Sequence, residues 1–300
     1  LEFHSKANSL DEGVLEMVAK SVEEVEASYE ALVIGNEGKH FCVGANLMVL
    51  LELSRERKWK DIERTVTRVQ KLFLSLRDCS KPTVAAVFGR TLAGGCEIAM
   101  HCDRVQAAAE TYMGLVEVGV GLIPAGGGCK EFVRRSTEAF GVEDSVVHPL
   151  KSVFETIGSA KVSGSAVEAK QLNLLRANDV ITMNRDRLLA DAKQAALSLV
   201  VMGYRPQPPP EILVGGRGVR AALEMGPYLM REAEWISDYD LHIGKQLAYV
   251  VAGGNLSQPS LVSEEYLLGL ERETFVSLCG EEKTQQRMEA VLKTGKPLRN

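Results

Sequence analysis

The stretch "AGGCEIAMHCD", residues 93–103, indicates a tight turn that leads into a short apolar helix, with the carboxylate of Glu97 inside the apolar run. Glycine lets another group approach the backbone closely, and the first N–H groups of a helix have no partner within that helix. Such a turn can bind an oxygen that gains negative charge. Taken alone, the pattern also fits two glycines that only pack the turn beside a solvated acid.

A second isolated acid lies in "GLVEVGVGLIPAGGG", residues 114–128, where Glu117 is the only charged residue between Glu110 and Lys130. A carboxyl group in apolar surroundings has a raised pKa and can hold or take a proton near neutral pH. Two such groups that face one cavity can divide acid and base duties. The alternative is a surface acid in a loop.

A third glycine-containing turn, "HFCVGANL" at residues 40–47, follows the predicted buried strand "ALVIGN" and opens another short helix. It can supply a second backbone N–H donor to the same oxygen. Two donors from two turns make an oxyanion hole, although the pattern also fits a turn that serves packing alone.

Composition places the chain among soluble globular proteins, because 45% of its 300 residues are hydrophobic and 25% are charged. A net charge of -5 gives no polybasic surface for nucleic acid. No apolar run approaches the roughly 20 residues of a membrane span. Six scattered cysteines favour reduced thiols in a cytoplasmic protein. Because the chain opens with "LEFH" and lacks a starting Met, we expect a fragment of a longer protein.

Strands alternate with helices along the first two thirds of the chain, which indicates the α/β class. Strands are predicted at 1–5, 31–36, 81–89 and 104–109, and amphipathic helices at 9–28 and 61–78. The prolines and glycines of 205–218 predict a linker. We therefore predict a catalytic core at 1–204 and a helical C-terminal region at 219–300 that covers the core or joins subunits.

The three turns, in this order, resemble the crotonase superfamily of enoyl-CoA hydratases and isomerases over about residues 1–200. "KHFCVGANL" resembles the first oxyanion turn of that family, "AGGCEIAMHCD" the second, and "VEVGVGLIPAGGG" its proline-glycine segment with a leading glutamate. The resemblance implies a crotonase-like ββα spiral core with a C-terminal helical extension. It also implies that the N–H groups of Ala45 and Gly94 bind the oxygen of a thioester.

The resemblance further implies that Glu97 and Glu117 are the two glutamates of the hydratase branch, which adds water reversibly to a 2-enoyl-CoA in fatty-acid β-oxidation. Glu97 would then activate the water and Glu117 would protonate Cα, with the CoA thioester as substrate and no metal or redox cofactor. The residues expected beside the substrate are Lys6, Ala7, Asn8, Val43, Gly44, Asn46, Gly95, Pro124 and Ala125.

Two positions depart from the family pattern: Asn46 stands where Asp is usual, and Ala125 where many hydratases have Gly. Neither change removes a catalytic side chain. Alternatives are an enoyl-CoA isomerase or an acyl-CoA hydrolase of the same superfamily, or a non-catalytic scaffold.

The C-terminal end resembles the tail of bacterial two-part proteins in which an NAD-dependent 3-hydroxyacyl-CoA dehydrogenase precedes a hydratase module. No G-x-G-x-x-G follows a strand in this chain, so NAD is expected only in a separate domain of a parent protein. The expected partners are an acyl-CoA substrate and either further copies in a trimer-like assembly or the dehydrogenase domain.

Two other groups of residues have a functional and a structural interpretation. Cys96, His101, Cys102 and Asp103 cluster in sequence, but their spacing is not that of a zinc site, and packing is favoured. Arg134 and Arg135 could meet a phosphate, although a solvated helix face is the favoured interpretation for them.

Overall fold

The computed structural model describes residues 1–300, which form two compact units. The sheet unit comprises Leu1–Asn46, Arg68–Leu115 and Val162–Pro208. The helical unit comprises Leu47–Thr67, Val116–Lys161 and Pro209–Asn300. Each unit is therefore assembled from three separate segments of the chain.

Helices and strands are interspersed until residue 214, and helices dominate afterwards. The helices are α1 (Glu12–Ser28), α2 (Leu47–Arg55), α3 (Trp59–Asp78), α4 (Gly94–His101), α5 (Gly128–Thr137), α6 (Val147–Gly158), α7 (Ala166–Gln171), α8 (Leu188–Val201), α9 (Gly216–Glu232), α10 (Asp238–Val251), α11 (Glu264–Cys279) and α12 (Glu282–Thr294). The strands are β1 (Leu32–Gly35), β2 (Thr83–Leu92), β3 (Arg104–Gly114), β4 (Val180–Thr182), β5 (Glu211–Val214) and β6 (Ser260–Ser263).

The sheet unit contains a four-stranded sheet in the order β1-β2-β3-β4, and every pair in it is parallel. Strand β2 begins as an apolar run that is buried from Thr83 to Phe88, as expected of a central strand. Helix α8 packs against β1, β2 and β3. The predicted α/β class is confirmed.

Most elements predicted in the sheet unit are confirmed, because their periodic patterns are strong. The side chain of Asp11 caps α1 by accepting a hydrogen bond from the N–H of Val14 at 2.9 Å. The strand predicted at 1–5 is wrong. The amino group of Leu1 reaches the carbonyl oxygen of Val33 at 2.8 Å, but the backbone leaves β1 after residue 1, since the N–H of Phe3 donates to the side chain of Asn36 instead.

The helical unit contains the predicted C-terminal helices, together with a small antiparallel pair of strands, β5 and β6. Part of the predicted linker at 205–218 is therefore regular structure. Residues 205–210 have neither helix nor strand, whereas Ile212, Leu213 and Val214 are buried in β5 and α9 begins at Gly216. The division of the chain at 204 and 219 stays a prediction.

All six cysteines are buried and have free thiols. None of the helices combines the length and the hydropathy that crossing a membrane requires.

Candidate active site

The turn after β2 places the start of α4 by an unusual backbone conformation at Ala93, whose φ is 51° and ψ is -126°. Its N–H donates to the carbonyl oxygen of Gly114 at 2.9 Å, and its own carbonyl oxygen accepts from Cys96 and Glu97 at 2.8 and 2.9 Å. A positive φ costs a non-glycine residue about 1–2 kcal/mol. Hydrogen bonds on both sides of Ala93 hold it in this conformation, which directs the first N–H groups of α4.

The two glycines that open α4 serve different purposes. A Cβ on Gly95 would stand 2.6 Å from the Cβ of Cys42, so Gly95 is required for packing. A Cβ on Gly94 would stand 2.8 Å from Cδ1 of Leu10 and 3.9 Å from the backbone nitrogen of Ala45. Gly94 therefore lies where the turn that opens α4 meets the turn at residues 40–47.

The turn at residues 40–47 is held against the end of β2 by backbone hydrogen bonds. Phe41 donates to Phe88, and the N–H of Leu92 donates to Cys42 at 2.9 Å. Gly44 follows with a φ of +102°, and a Cβ on it would stand 3.7 Å from the backbone nitrogen of Gly94. The predicted meeting of the two glycine turns is thus observed within the sheet unit.

Two backbone donors lie at this meeting point. Neither the N–H of Ala45 nor the N–H of Gly94 donates a hydrogen bond to a backbone carbonyl. Gly94 is the first residue of α4, so its N–H also lies at the positive end of the helix dipole. A pair of amides of this kind can stabilise negative charge on a thioester oxygen.

Glu97 lies in the first turn of α4 with only 4% of its surface exposed, so it is not a solvated acid. Its backbone is fixed at both ends, because its N–H donates to Ala93 and its carbonyl oxygen lies 2.7 Å from Nδ1 of His101. The structure therefore places a buried carboxylate three residues after Gly94, on the same helix.

Glu117 belongs to the helical unit, where it begins a 3-10 helix, Glu117–Val120. The residue is half-buried, and its carboxylate oxygen Oε2 is fully buried. Gly121 ends the 3-10 helix in a left-handed conformation, and the N–H of Leu122 returns to the carbonyl oxygen of Glu117 at 3.1 Å. The predicted substrate neighbours Pro124 and Ala125 follow and are buried.

The remaining predicted substrate neighbours lie in the sheet unit. Lys6 and Ala7 are exposed in a 3-10 helix, Lys6–Asn8, with Ala7 at a φ of 56°. Asn8 is buried, and its side-chain amide donates to the carbonyl oxygens of Glu37 and His40 at 3.1 and 3.0 Å. Asn8 therefore ties this segment to the loop before Phe41.

Val43 and Asn46 lie on either side of Gly44 and Ala45 in the turn at residues 40–47. Val43 is half-buried, whereas Asn46 is exposed at the start of α2. Substrate contact by any of these residues stays a prediction.

Helix α5 begins just after Ala125 and is capped from α11. The buried carboxylate of Glu271 accepts hydrogen bonds from the N–H of Gly127 at 2.9 Å and from the N–H of Lys130 at 2.5 Å. A carboxylate at this position satisfies N–H groups that the helix leaves without partners and complements its dipole.

Arg134 and Arg135 do not form a solvated face, contrary to the favoured interpretation. Arg134 donates to Glu131 at 2.7 Å, and Arg135, with 8% of its surface exposed, donates to the same carboxylate at 3.0 Å. Burial raises the pKa of a carboxyl group, but Lys130 and the two arginines together hold the pKa of Glu131 well below its ordinary value. Both guanidinium groups therefore form ion pairs with Glu131 inside the helical unit.

The cluster from Cys96 to Asp103 is used in packing, as expected. Asp103 accepts from the N–H of Thr83 and from the hydroxyl of Tyr204, each at 2.8 Å. Cys96, His101 and Cys102 are buried, and the ring of His101 contacts the ring of Phe73.

Sequence reasoning missed the residues that hold the segment after Glu117, namely Glu271, Thr284 and Tyr239. One signal was available for Glu271. In "EEYLLGLERE" the acids Glu264 and Glu271 stand seven residues apart on the helical face of Leu267 and Leu268, and all four residues are buried. Acids on an apolar helical face indicate buried partners elsewhere in the chain.

Comparison with known proteins supports the fold. Solved structures described as an enoyl-CoA hydratase from Bacillus halodurans and an enoyl-CoA hydratase/isomerase from Xanthobacter autotrophicus Py2 are similar, with TM-scores of 0.61 and 0.60 at 18% and 17% identity. The alignments cover 95% and 98% of this chain and 92% and 89% of those chains. The fold is therefore the crotonase fold. The model of the enoyl-CoA hydratase/isomerase family matches residues 1–141.

The chain therefore resembles the crotonase superfamily, in sequence over residues 1–141 and in fold over nearly its whole length. A probable 3-hydroxyacyl-CoA dehydrogenase of Bacillus subtilis is 46% identical over the whole chain, which covers 38% of that protein. A putative fatty acid oxidation complex trifunctional enzyme of Rickettsia felis is 25% identical over 96% of the chain, which covers 37% of that protein. The chain spans little more than a third of the length of these relatives.

Proposed function

We propose that this chain catalyses the reversible addition of water across the 2,3 double bond of an enoyl-CoA. The observation that carries the proposal is the meeting of two backbone N–H donors, those of Ala45 and Gly94, beside a helix whose first turn holds the buried Glu97. The match of residues 1–141 to the enoyl-CoA hydratase/isomerase family supports the same chemistry.

The reaction uses the two donors when negative charge develops. Glu97 takes a proton from water, and the water oxygen forms a bond to C3 of the enoyl group. The π electrons of the 2,3 bond move toward the thioester, whose oxygen gains the charge of an enolate. Hydrogen bonds from Ala45 and Gly94 stabilise that oxygen, and the loss of one such donor costs about 3 kcal/mol of barrier.

Glu117, in its acid form, completes the addition by donating a proton to C2. The enolate electrons form the C2–H bond, so the net change is the addition of H and OH to the double bond. Glu97 ends protonated and Glu117 ionised, and proton exchange with water restores the pair. The chemistry uses no metal or redox cofactor, and the CoA thioester is the substrate.

Loss of the enoyl-thioester absorbance, measured with enoyl-CoA substrates of several acyl chain lengths, tests this assignment directly. General acid–base catalysis contributes about 10² to 10⁴ to a rate, so we expect Glu97→Gln and Glu117→Gln each to lower kcat by at least about 10². Glu110→Gln is the matched control, because Glu110 is an exposed acid on β3. Wild-type turnover in both active-site variants would exclude the assignment.

Analysis of the products from 2-enoyl-CoA and 3-enoyl-CoA substrates separates the alternatives. An isomerase converts a 3-enoyl-CoA to the 2-enoyl isomer without adding water, and a hydrolase releases free CoA. A chain that turns over none of these substrates is a scaffold.

We further propose that this region works in the cytoplasm as part of a longer protein of fatty-acid β-oxidation that carries a 3-hydroxyacyl-CoA dehydrogenase. The name of the Bacillus subtilis relative and the 38% of its length that the chain covers support this. NAD binds only the separate dehydrogenase part. Light scattering of the chain tests whether it also assembles with copies of itself into a trimer.

A further inference from the structure

The C-terminal helices reach the end of the 3-10 helix Glu117–Val120 through a line of three polar groups. The hydroxyl of Thr284, in the first turn of α12, donates to the carbonyl oxygen of Gly121 at 2.7 Å. The hydroxyl of Tyr239, on α10, lies 2.6 Å from the same Thr284 oxygen. Thr284 is completely buried, so no water competes with either contact.

The direction of these hydrogen bonds follows from the chemistry of the three groups. A carbonyl oxygen can only accept, so the single hydroxyl proton of Thr284 is committed to Gly121. The bond between the two hydroxyl groups must then be donated by Tyr239. Burial raises the pKa of Tyr239, in keeping with a phenol that keeps its proton. Tyr239 therefore orients Thr284, and Thr284 orients Gly121.

The contact with Gly121 is tight enough to define the backbone there. Gly121 has a φ of +84°, and a Cβ on it would stand 2.7 Å from Oγ1 and 3.0 Å from Cα of Thr284. Only glycine adopts this conformation readily and leaves room for Thr284.

One peptide group connects Thr284 to the backbone of Glu117. The carbonyl of Gly121 and the N–H of Leu122 belong to the same planar peptide. Its carbonyl accepts from Thr284, and its N–H donates to the carbonyl oxygen of Glu117 at 3.1 Å. Any rotation of this peptide that breaks the first bond also weakens the second.

We infer that Thr284, oriented by Tyr239, is a positioning residue for Glu117. This inference deepens the proposed function and rests on it, since it gives Glu117 a role in proton transfer. Thr284 does not touch the substrate in this scheme. It sets the direction of the Glu117 carboxyl group through the peptide that follows Gly121.

Two variants of Thr284 test the inference in the 300-residue chain. Thr284→Val keeps the shape of the side chain but removes the hydrogen-bond donor. A shift of about 1 Å in a catalytic group can lower the reaction rate by a factor of the order of 10². We expect Thr284→Val to lower kcat by about 10-fold or more with KM for the 2-enoyl-CoA little changed. Thr284→Ser should restore kcat to within about threefold of the wild type, because it keeps the hydroxyl group.

Two further measurements separate positioning from general damage. Tyr239→Phe should produce a smaller loss of kcat in the same direction, since Thr284 keeps its donor but loses its orienting partner. Thr294→Val is the matched control, because Thr294 is an exposed threonine near the end of the same helix and bonds only within residues 290–296. It should retain wild-type kcat.

Amide hydrogen exchange gives a readout that does not depend on activity. In Thr284→Val the amide of Leu122 should lose protection while the amides of α5 keep theirs, and Thr284→Ser should retain both. Wild-type kcat together with wild-type protection of Leu122 in Thr284→Val would overturn the inference. A wild-type chain without hydratase activity would refute the proposed function instead, and the exchange of Leu122 would still show whether Thr284 anchors the peptide.

Discussion

Gly44 and Ala93 approach each other so closely that a Cβ on Gly44 would stand 2.8 Å from the Cβ of Ala93. Both residues have positive φ, +102° for Gly44 and 51° for Ala93. The contact joins the two turns that carry the N–H donors of Ala45 and Gly94. The separation of those donors therefore depends on a position that has no side chain.

Gly44→Ala should damage activity beyond its effect on stability. The left-handed φ costs an alanine about 1–2 kcal/mol, and the clash with Ala93 moves one donor. Loss of an oxyanion donor lowers kcat by about 10² to 10³, so we expect a decrease approaching that range in the enoyl-CoA hydration assay. Gly38→Ala is the control, because Gly38 has a φ of +103° with nothing within 4 Å. It should lose stability alone, and equal kcat losses in both variants would contradict this role for Gly44.

Glu271→Gln should destabilise the helical unit through the start of α5. Gln retains one oxygen, but its amide group faces an N–H of Gly127 or Lys130 that the carboxylate now satisfies. An unsatisfied buried donor costs about 1–3 kcal/mol, which denaturant unfolding would measure. Glu273→Gln, at an exposed position of the same helix, should change the free energy of unfolding by less than about 0.5 kcal/mol. If the two variants unfold alike, Glu271 is not an effective cap.

Glu131→Gln should remove a contribution to stability that depends on pH. The folded-state pKa of Glu131 lies below the ordinary value of 4.5, so its contribution is present above about pH 4.5 and is lost as the pH falls toward the folded pKa. At neutral pH the variant leaves Lys130 and two arginines without their shared carboxylate, which costs about 3–5 kcal/mol.

Unfolding free energies measured from neutral to acidic pH check this prediction. The difference between the wild type and Glu131→Gln should shrink as the pH falls below about 4.5. Glu138→Gln is the control, since Glu138 meets Arg134 at 3.4 Å with 69% of its side chain exposed. A difference between wild type and Glu131→Gln that stays constant with pH would contradict the assignment.

Tyr204→Phe should also cost more stability at neutral pH than in acid, although the pKa of its partner Asp103 is raised and not lowered. Burial raises the pKa of Asp103, so the folded state binds this proton more tightly and stability falls as the pH rises through the folded pKa. Removal of the Tyr204 hydroxyl, which donates to Asp103 at 2.8 Å, raises that pKa further. The loss of stability should therefore grow from acidic to neutral pH, reaching about 1–2 kcal/mol. Tyr29→Phe, at a residue that is 60% exposed, should show no such trend in the same titration.

Local sequence patterns predicted the main elements of the sheet unit and the two glycine turns. The periodicity of 61–78 predicted α3, and the apolar run after Lys81 predicted β2, because burial of one face or of a whole strand leaves a period in the sequence. The opening segment 1–5 was misread as a strand, since its apolar character did not show that the N–H of Phe3 pairs with a side chain.

The sequence by itself determined the α/β class and the two glycine turns, and it predicted the donors at Ala45 and Gly94 and the acids Glu97 and Glu117. Those features depend on glycines, acids and apolar spacing within a few residues of one another. Only the tertiary structure decided that Arg135 is buried against Glu131. Only the tertiary structure brought Glu271 to Gly127 across 144 residues and Thr284 to Gly121 across 163. A hydrogen bond between such distant residues leaves no spacing to read, because the fold, and not the chain, makes them neighbours.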